Sequence, residues 1–453
     1  MPNKKPNVIF IVCDDMGEWA MGCSGHPNAL TPNLDRLARD GTRLSNHFSA
    51  SAVCSPSRAC LLTGKYSLEV GIPDILCTGE GVGLDPKYTT TAKAFQKEGY
   101  RTALVGKWHL GDDDRYHPTQ HGYDSFTGFR IGGEEGPLSS KDPGIEIDGT
   151  YQKVEGYTSD ILTDHALDFI ETKDSESPFF LSLHFWAPHA NQGVSTEDGD
   201  RTWHPLKDED WDPFKDLTPE VPNPNYPKLD INRIQRMTRE YLASVHSVDR
   251  NIGRLIRALE STGTLDDTII VFTSDNGYNI GHNGIWHKGN GWWILTDNRG
   301  DRPNLYDHSM RVPAIISYPN CVKAGQVCDH PNTSMDWFPT LMDFAGIKTK
   351  ANWELRGESI ASILKGERSL TDRPIFGQYQ MWDWHQTGAA MRSWRTNEWK
   401  LMLDLKETVP NEFYDLRNDP NEAINIYNSE DPSIKAAQVA MERSLRKHIT
   451  EVE

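Results

Sequence analysis

The sequence has no apolar run approaching the ~20 residues that a membrane-spanning helix needs, so no membrane span is expected. It is also short of positive charge: 47 Lys and Arg stand against 65 Asp and Glu, a formal net charge of -18. That balance argues against nucleic acid or an anionic membrane as the main partner. It leaves a small anionic substrate open, because charges local to a site decide that. No Cys-x-x-Cys pair occurs among the seven cysteines (Cys13, Cys23, Cys54, Cys60, Cys77, Cys321 and Cys328), so zinc and thioredoxin-like readings are weak. Cys321 and Cys328 are close enough in sequence to pair, yet free thiols are the expectation. The start does not read as a secretory leader. The start at Met1 is basic, but the apolar stretch Val8–Cys13 stops at Asp14 and Asp15, and no cleavage site follows. The chain reads as cytoplasmic, or as periplasmic or secreted if a leader precedes it.

What is present is a soluble globular composition over 453 residues, 37% hydrophobic and 25% charged. That is enough for one large domain and a smaller one. Apolar runs alternate with helical stretches, the pattern of a mostly parallel sheet wrapped by helices. Strands are predicted at Asn7–Cys13, Arg101–Val105, Phe179–Phe185, Thr268–Thr273 and Val312–Tyr318. Helices are predicted after the Thr31-Pro32 start, with Leu34, Leu37 and Ala38 inward, and over Thr91–Glu98, Asp160–Glu171 and Asn232–Ser261. Asp112–Tyr157 and the proline-rich Ala190–Asp230 read as long irregular walls or lids. After about Gly346, short strands (Pro374–Gln378, Ala389–Ser393, Trp399–Leu403) precede a helix near Pro432–Ile449. Residues 1–345 are therefore expected to form the main domain and 346–453 a smaller α+β domain.

Four predicted strands run directly into polar residues: Asp14-Asp15, Gly106-Lys107-Trp108-His109, Ala187-Pro188-His189 and Asp275-Asn276. Open α/β sheets bind ligands beyond the carboxyl ends of their strands, so these residues are expected on one rim. Taken alone, Asp14-Asp15 reads as a cap or turn and Asp275-Asn276-Gly277 as a turn. Together they offer three carboxylates and an amide oxygen, hard donors that suit Ca²⁺ or Mg²⁺ rather than zinc. Lys107 and His109, two apart, point to the same side of an extended segment; in isolation they read as an exposed lysine and a hydrogen-bonded histidine.

Cys54-Ser55-Pro56-Ser57-Arg58, running to Leu62-Thr63-Gly64, resembles the signature of the formylglycine-dependent sulfatases and fits it at every fixed position. Further stretches are similar to family motifs: Gly106–Gly111, Trp186–His189, Lys288 within Gly284–Gly289, Tyr306–Pro313, and Phe413–Pro420 with Asn425. Asn191 stands where relatives often have proline. The resemblance implies an alkaline-phosphatase-like α/β fold, with a large mixed, mostly parallel sheet between helices and a smaller C-terminal α+β domain. It implies a sulfatase that hydrolyses sulfate monoesters with formylglycine made from Cys54, which requires a maturation enzyme as partner. It assigns Asp14, Asp15, Asp275, Asn276 and position 54 to one divalent cation, usually Ca²⁺, with Mg²⁺ or Mn²⁺ possible. Lys107 would contact formylglycine and sulfate, and His109 would take the proton that lets sulfate leave.

The chemistry asks for the same groups. Sulfate transfer needs cations around its oxygens, which Arg58, Lys107 and Lys288 supply with the metal. Arg58 lies one helical turn beyond Cys54 if that segment is helical. Asp275 is the candidate base, His189 the first and Lys288 the second candidate proton donor to the leaving alcohol. Trp203, Trp211, Trp292, Trp293, Trp382 and Trp384, with His385, fall in irregular segments and could stack on a sugar or simply pack. A carbohydrate sulfate is the expected substrate. The alternatives are a phosphonate monoester or phosphodiester hydrolase and a non-catalytic carbohydrate-binding relative.

Overall fold

In the computed structural model, residues 5–130, 140–147, 149–172, 177–191, 203–294, 300–319, 321–367, 372–384 and 387–453 are described, with backbone alone at 383, 384 and 387. Four adjacent parallel strands carry the fold: β1 (Asn7–Cys13), β2 (Arg101–Lys107), β3 (Phe179–His184) and β4 (Thr268–Ser274), in the order β4-β1-β3-β2. Ile9 pairs with Leu181 on one side and Ile270 on the other. The run of apolar residues in β1 is explained by burial on both faces. Ile9, Ile11 and Cys13 enter one core layer and Val8, Phe10 and Val12 the other. Antiparallel strands flank this centre: Ala314–Ser317 beside β4, and Gly144–Ile147 with Thr150–Lys153 beyond Ser125–Phe129. The sheet is thus mixed, ten strands wide, with a parallel middle.

On one face lie α1 (Pro32–Asp40) and α3 (Ile231–Ser261); on the other lies α2 (Cys54–Thr63). α3 turns Ile234, Met237, Tyr241, Val245, Val248, Ile252 and Leu255 into the core, the predicted stripe. Thr31 occupies the N-cap position of α1, but its side chain makes no capping bond. Asp249 of α3 does the capping instead. It accepts from the backbone N–H of Asn33 and Leu34 at 3.0 and 2.8 Å and from Asn33 Nδ2 at 2.8 Å.

That cap gives a pH-dependent prediction. Burial pushes the Asp249 carboxyl up to about 6, even against the hydrogen bonds it accepts. Its folded pKa then exceeds the unfolded value of about 3.9. The stability it contributes is complete below about pH 4 and is lost as pH rises through 6. The unfolding free energy of the wild type relative to Asp249→Asn is expected to fall by about 2–3 kcal/mol over that window. Denaturant titrations of both proteins between pH 4 and 7 check it; a pH-independent difference refutes it.

Two expectations change. Asp112–Tyr157 is not wholly irregular, because it carries the strands Ser125–Phe129, Gly144–Ile147 and Thr150–Lys153. Glycine masked them: a Cβ on Gly128 would lie 1.9 Å from Gly106 O, so glycine is what permits that close strand approach. The Val312–Tyr318 strand is trimmed to Ala314–Ser317. In Ala190–Asp230 a single helical turn, Asp208–Trp211, forms among the described residues.

The C-terminal part is a four-stranded antiparallel sheet (Ile375–Trp384, Thr387–Arg395, Trp399–Asp404, Glu412–Asp415) covered by the helix Pro432–Val452. Met441 and Leu445 of that helix pack on Phe376, Leu401, Leu403 and Phe413. The strand Glu412–Asp415 was not expected as a strand; at four residues it is too short to show periodicity. Among the described residues no disulfide joins the seven cysteines, and no helix is long and apolar enough to cross a membrane.

Candidate active site

The carboxyl ends of the four central strands do converge. β1 delivers Asp14 and Asp15, β2 ends on Lys107, β3 leads to His184 and His189, and β4 to Asp275 and Asn276. Cys54 is the first residue of α2, so the positive end of that helix faces the carboxylates. Cys54 Sγ lies 3.3 Å from Asp14 Oδ1, 3.8 Å from Asp15 Oδ1 and 2.8 Å from Lys288 Nζ. Lys288 reaches in from the hairpin strand β5 (Ile285–His287) and pairs with Asp15, while Lys107 pairs with Asp14.

Arg58, one turn beyond Cys54, is fully buried. Its Nε and one terminal nitrogen both meet Asp275 Oδ2 at 2.9 Å, and the other terminal nitrogen donates to Lys107 O at 2.8 Å. Asp275 Oδ1 accepts the backbone N–H of Asp15 and of Asn276. Asp275, the candidate base, therefore faces Arg58, and the carboxylates beside the thiol are Asp14 and Asp15.

Asp14, Asp15 and Asp275 face Arg58, Lys107 and Lys288 in a buried volume, and burial, then Asp14, pushes the Asp275 carboxyl up to about 7 against the pull of Arg58. Burial opposes ionisation of Asp14, but Lys107, His189, Arg58 and Lys288 outweigh it and hold the carboxyl well below its usual range. Burial, with Asp14 beside it, pushes the Cys54 thiol far up. A protonated buried thiol is a poor nucleophile at neutral pH, so the residue as translated is ill suited to attack.

The carboxylate and amide oxygens suit a hard cation, with the softer Cys54 sulfur and His189 nitrogen beside them. Asp14, Asp15, Cys54 and His189 bring ligand atoms within 4.8 Å of one another. Asn276 Nδ2 donates to Asp15 Oδ1 at 2.8 Å and to Gly277 O at 2.9 Å, which leaves Asn276 Oδ1 buried without a hydrogen-bond partner. Asp15 Oδ2 makes no hydrogen bond either and lies 3.6 Å from His189 Nε2. Two orphaned buried oxygens of this kind need a positive partner.

His109 stands slightly apart. Its Nε2 lies 3.0 Å from Leu76 O and its buried Nδ1 has no hydrogen-bond partner among the described residues. Burial, then Lys107, holds it well below the usual histidine range, so the ring is neutral. Nε2 carries the hydrogen and Nδ1 the lone pair. His189 Nδ1 bonds Ala190 O at 2.7 Å, and its ring packs on Trp186 at 4.2 Å.

Sequence reasoning missed His184, whose Nδ1 donates to Lys107 O at 3.0 Å and so helps fix the backbone behind that ammonium. A histidine closing the strand Phe-Phe-Leu-Ser-Leu-His was the available signal. It also missed Tyr241, whose hydroxyl donates to Asp15 O at 2.6 Å. Trp203 is a core residue: its indole donates to Pro188 O and its ring packs on Tyr241. The Trp384 side chain and His385 lie outside the described residues.

Comparison with known proteins agrees with this geometry. Residues 6–347 match the family model described as Sulfatase, and residues 297–451 match N-sulphoglucosamine sulphohydrolase, C-terminal. An N-acetylglucosamine-6-O-sulfatase of Bacteroides thetaiotaomicron is 30% identical, over 94% of this chain and 83% of that one. A structure solved in complex with its substrate D-glucosamine-2-N,6-O-disulfate is 27% identical with a TM-score of 0.83, covering 99% of this chain and 98% of that one. The phosphonate monoester hydrolase of Agrobacterium radiobacter is 21% identical with a TM-score of 0.70, covering 99% of this chain and 96% of that one; that likeness is one of fold alone. The chain belongs to the type I sulfatase family and is a sulfuric ester hydrolase.

Proposed function

We propose that this enzyme releases sulfate from sulfated carbohydrates. The observation that carries the reading is the buried cluster at the N-terminus of α2, where Cys54 meets two carboxylates and Lys288. The carbohydrate preference rests on the relatives, which are an N-acetylglucosamine-6-O-sulfatase and a protein bound to a glucosamine disulfate.

Conversion of Cys54 to formylglycine by a maturation enzyme would supply a hydrated aldehyde, one hydroxyl to attack sulfur and a second to expel sulfate. Asp14, Asp15, Asp275, Asn276 and position 54 would hold a divalent cation, Ca²⁺ by the all-oxygen donor set with Mg²⁺ or Mn²⁺ compatible, and it would offset charge on the sulfate oxygens. The chain's own residues do the rest. Lys288 meets position 54 and Lys107 pairs with the Asp14 beside it, and both would neutralise the transferring group. Arg58 fixes Asp275 and the Lys107 carbonyl, and Asp275 shares its Oδ2 with Arg58 while serving as candidate base. His109 offers its Nδ1 lone pair to the remaining hydroxyl proton. His189 is the first and Lys288 the second candidate to protonate the leaving alcohol; burial pushes His189 down to about 4, so its Nε2 would have to take up a proton before donating one.

The test is parallel turnover of N-acetylglucosamine 6-sulfate, an aryl sulfate and a phosphodiester by matured protein. Sulfate release from the sugar is expected, with at least a tenfold loss on exhaustive chelation and recovery on adding Ca²⁺. Preference for the phosphodiester would overturn the reading in favour of a phosphonate monoester or phosphodiester hydrolase. No release from any sulfate ester would favour a binding protein.

A further inference from the structure

His287 immediately precedes Lys288 and has φ +87. A residue with a side chain avoids that region, and holding one there costs on the order of 1–3 kcal/mol. The surroundings impose it. Asn279, paired with His287 across the hairpin, donates from Nδ2 to the His287 carbonyl at 2.9 Å. The imidazole lies 5.6 Å from the Tyr278 ring, and its Nδ1 is 2.9 Å from Asn290 Oδ1.

The strain has a directional consequence. Neighbouring residues of a regular strand point to opposite faces. A positive φ at position 287 breaks that alternation, and Lys288, Asp15 and Asp14 all act electrostatically on the imidazole. The ring packs against Tyr278, which stacks on Tyr241, whose hydroxyl donates to Asp15 O, so the imidazole borders the site. It is only partly buried. Burial, then Lys288, pushes His287 down to about 4, so the ring is neutral at physiological pH. Asn290 Oδ1 accepts from Nδ1, so the hydrogen sits on Nδ1 and Nε2 keeps its lone pair. Nε2 has no hydrogen-bond partner among the described residues.

We propose that His287 is a specificity-determining residue whose Nε2 accepts a hydrogen bond from a hydroxyl or amide N–H on the sugar ring that carries the sulfate. This rests on the carbohydrate reading above. An acceptor at that position welcomes a hydroxyl or an acylamino group and rejects a second sulfate, whose oxygens are acceptors too.

Glycine separates the role from the strain. His287→Gly is expected to raise the thermal midpoint, because φ +87 costs glycine nothing. It should nevertheless lower kcat/KM for N-acetylglucosamine 6-sulfate about tenfold more than for an aryl sulfate with no neighbouring donor, mainly through KM. His287→Ala should show the same substrate ratio without the stability gain. Equal losses on both substrates would make His287 a mere support for Lys288 and overturn the proposal, as would an unchanged ratio. If the wild type turns over the aryl sulfate but no sulfated sugar, the carbohydrate reading itself fails. That outcome is visible before any variant is made and takes this proposal with it.

Discussion

Cys54→Ala is expected to lower kcat for sulfate-ester hydrolysis by about 10⁴-fold or more while the unfolding free energy changes by less than about 1 kcal/mol. The two halves have separate reasons. The thiol is buried among polar groups, with Asp14, Asp15 and Lys288 as its neighbours, so it fills no apolar cavity. Its removal orphans nothing, because Asp14 keeps Lys107 and Asp15 keeps Lys288. Activity has no such redundancy, since the cations at the site can stabilise a transition state only if a nucleophile starts the transfer. Cys54→Ser sharpens the test. Serine supplies one hydroxyl but not two, so the enzyme should stall after at most one transfer of sulfate. Turnover of an aryl sulfate and a denaturant titration on the same preparations decide the matter. Wild-type kcat in the alanine variant would refute the nucleophile, and sustained turnover by the serine variant would refute the need for a second hydroxyl.

Much of this site was legible because its chemistry sits at strand ends. β1 reads as a strand because both faces are buried, so six consecutive apolar residues precede Asp14. The same logic located Lys107 and Asp275. What remained hidden depends on partners remote in sequence. Asp249 caps a helix 216 residues away, and nothing local marks it. His184 closes a strand as any terminal residue might, and its bond to the Lys107 carbonyl exists only once β2 and β3 lie side by side. The strands near Gly128 were concealed by the glycine that lets them approach. His287 was visible only as a neighbour of Lys288; its significance lies in a backbone angle that composition does not encode.

Arg58→Ala should damage both stability and catalysis, and the two losses are separable. The guanidinium is fully buried and meets Asp275 Oδ2 twice at 2.9 Å. Truncation leaves a buried carboxylate without its nearest cation and the Lys107 carbonyl without its guanidinium donor. Breaking a buried pair from one side typically costs about 3–5 kcal/mol. For activity, losing the guanidinium that fixes Asp275 and the Lys107 carbonyl is expected to cost about 10²-fold in kcat by misplacing both. Arg58→Lys should recover part of the stability but little of the rate, because an ammonium cannot reproduce a planar fork aimed at a carboxylate and a carbonyl together. Adding Asp275→Asn to Arg58→Ala removes the orphaned charge. The double variant should be more stable than Arg58→Ala by about 1–3 kcal/mol, yet no more active. The comparison isolates the cost of the uncompensated carboxylate from the loss of the positioning guanidinium. An Arg58→Ala protein as stable as the wild type would show that Asp275 is not held ionised by this pair. A double variant no more stable than the single would place the damage in packing around α2 rather than in charge.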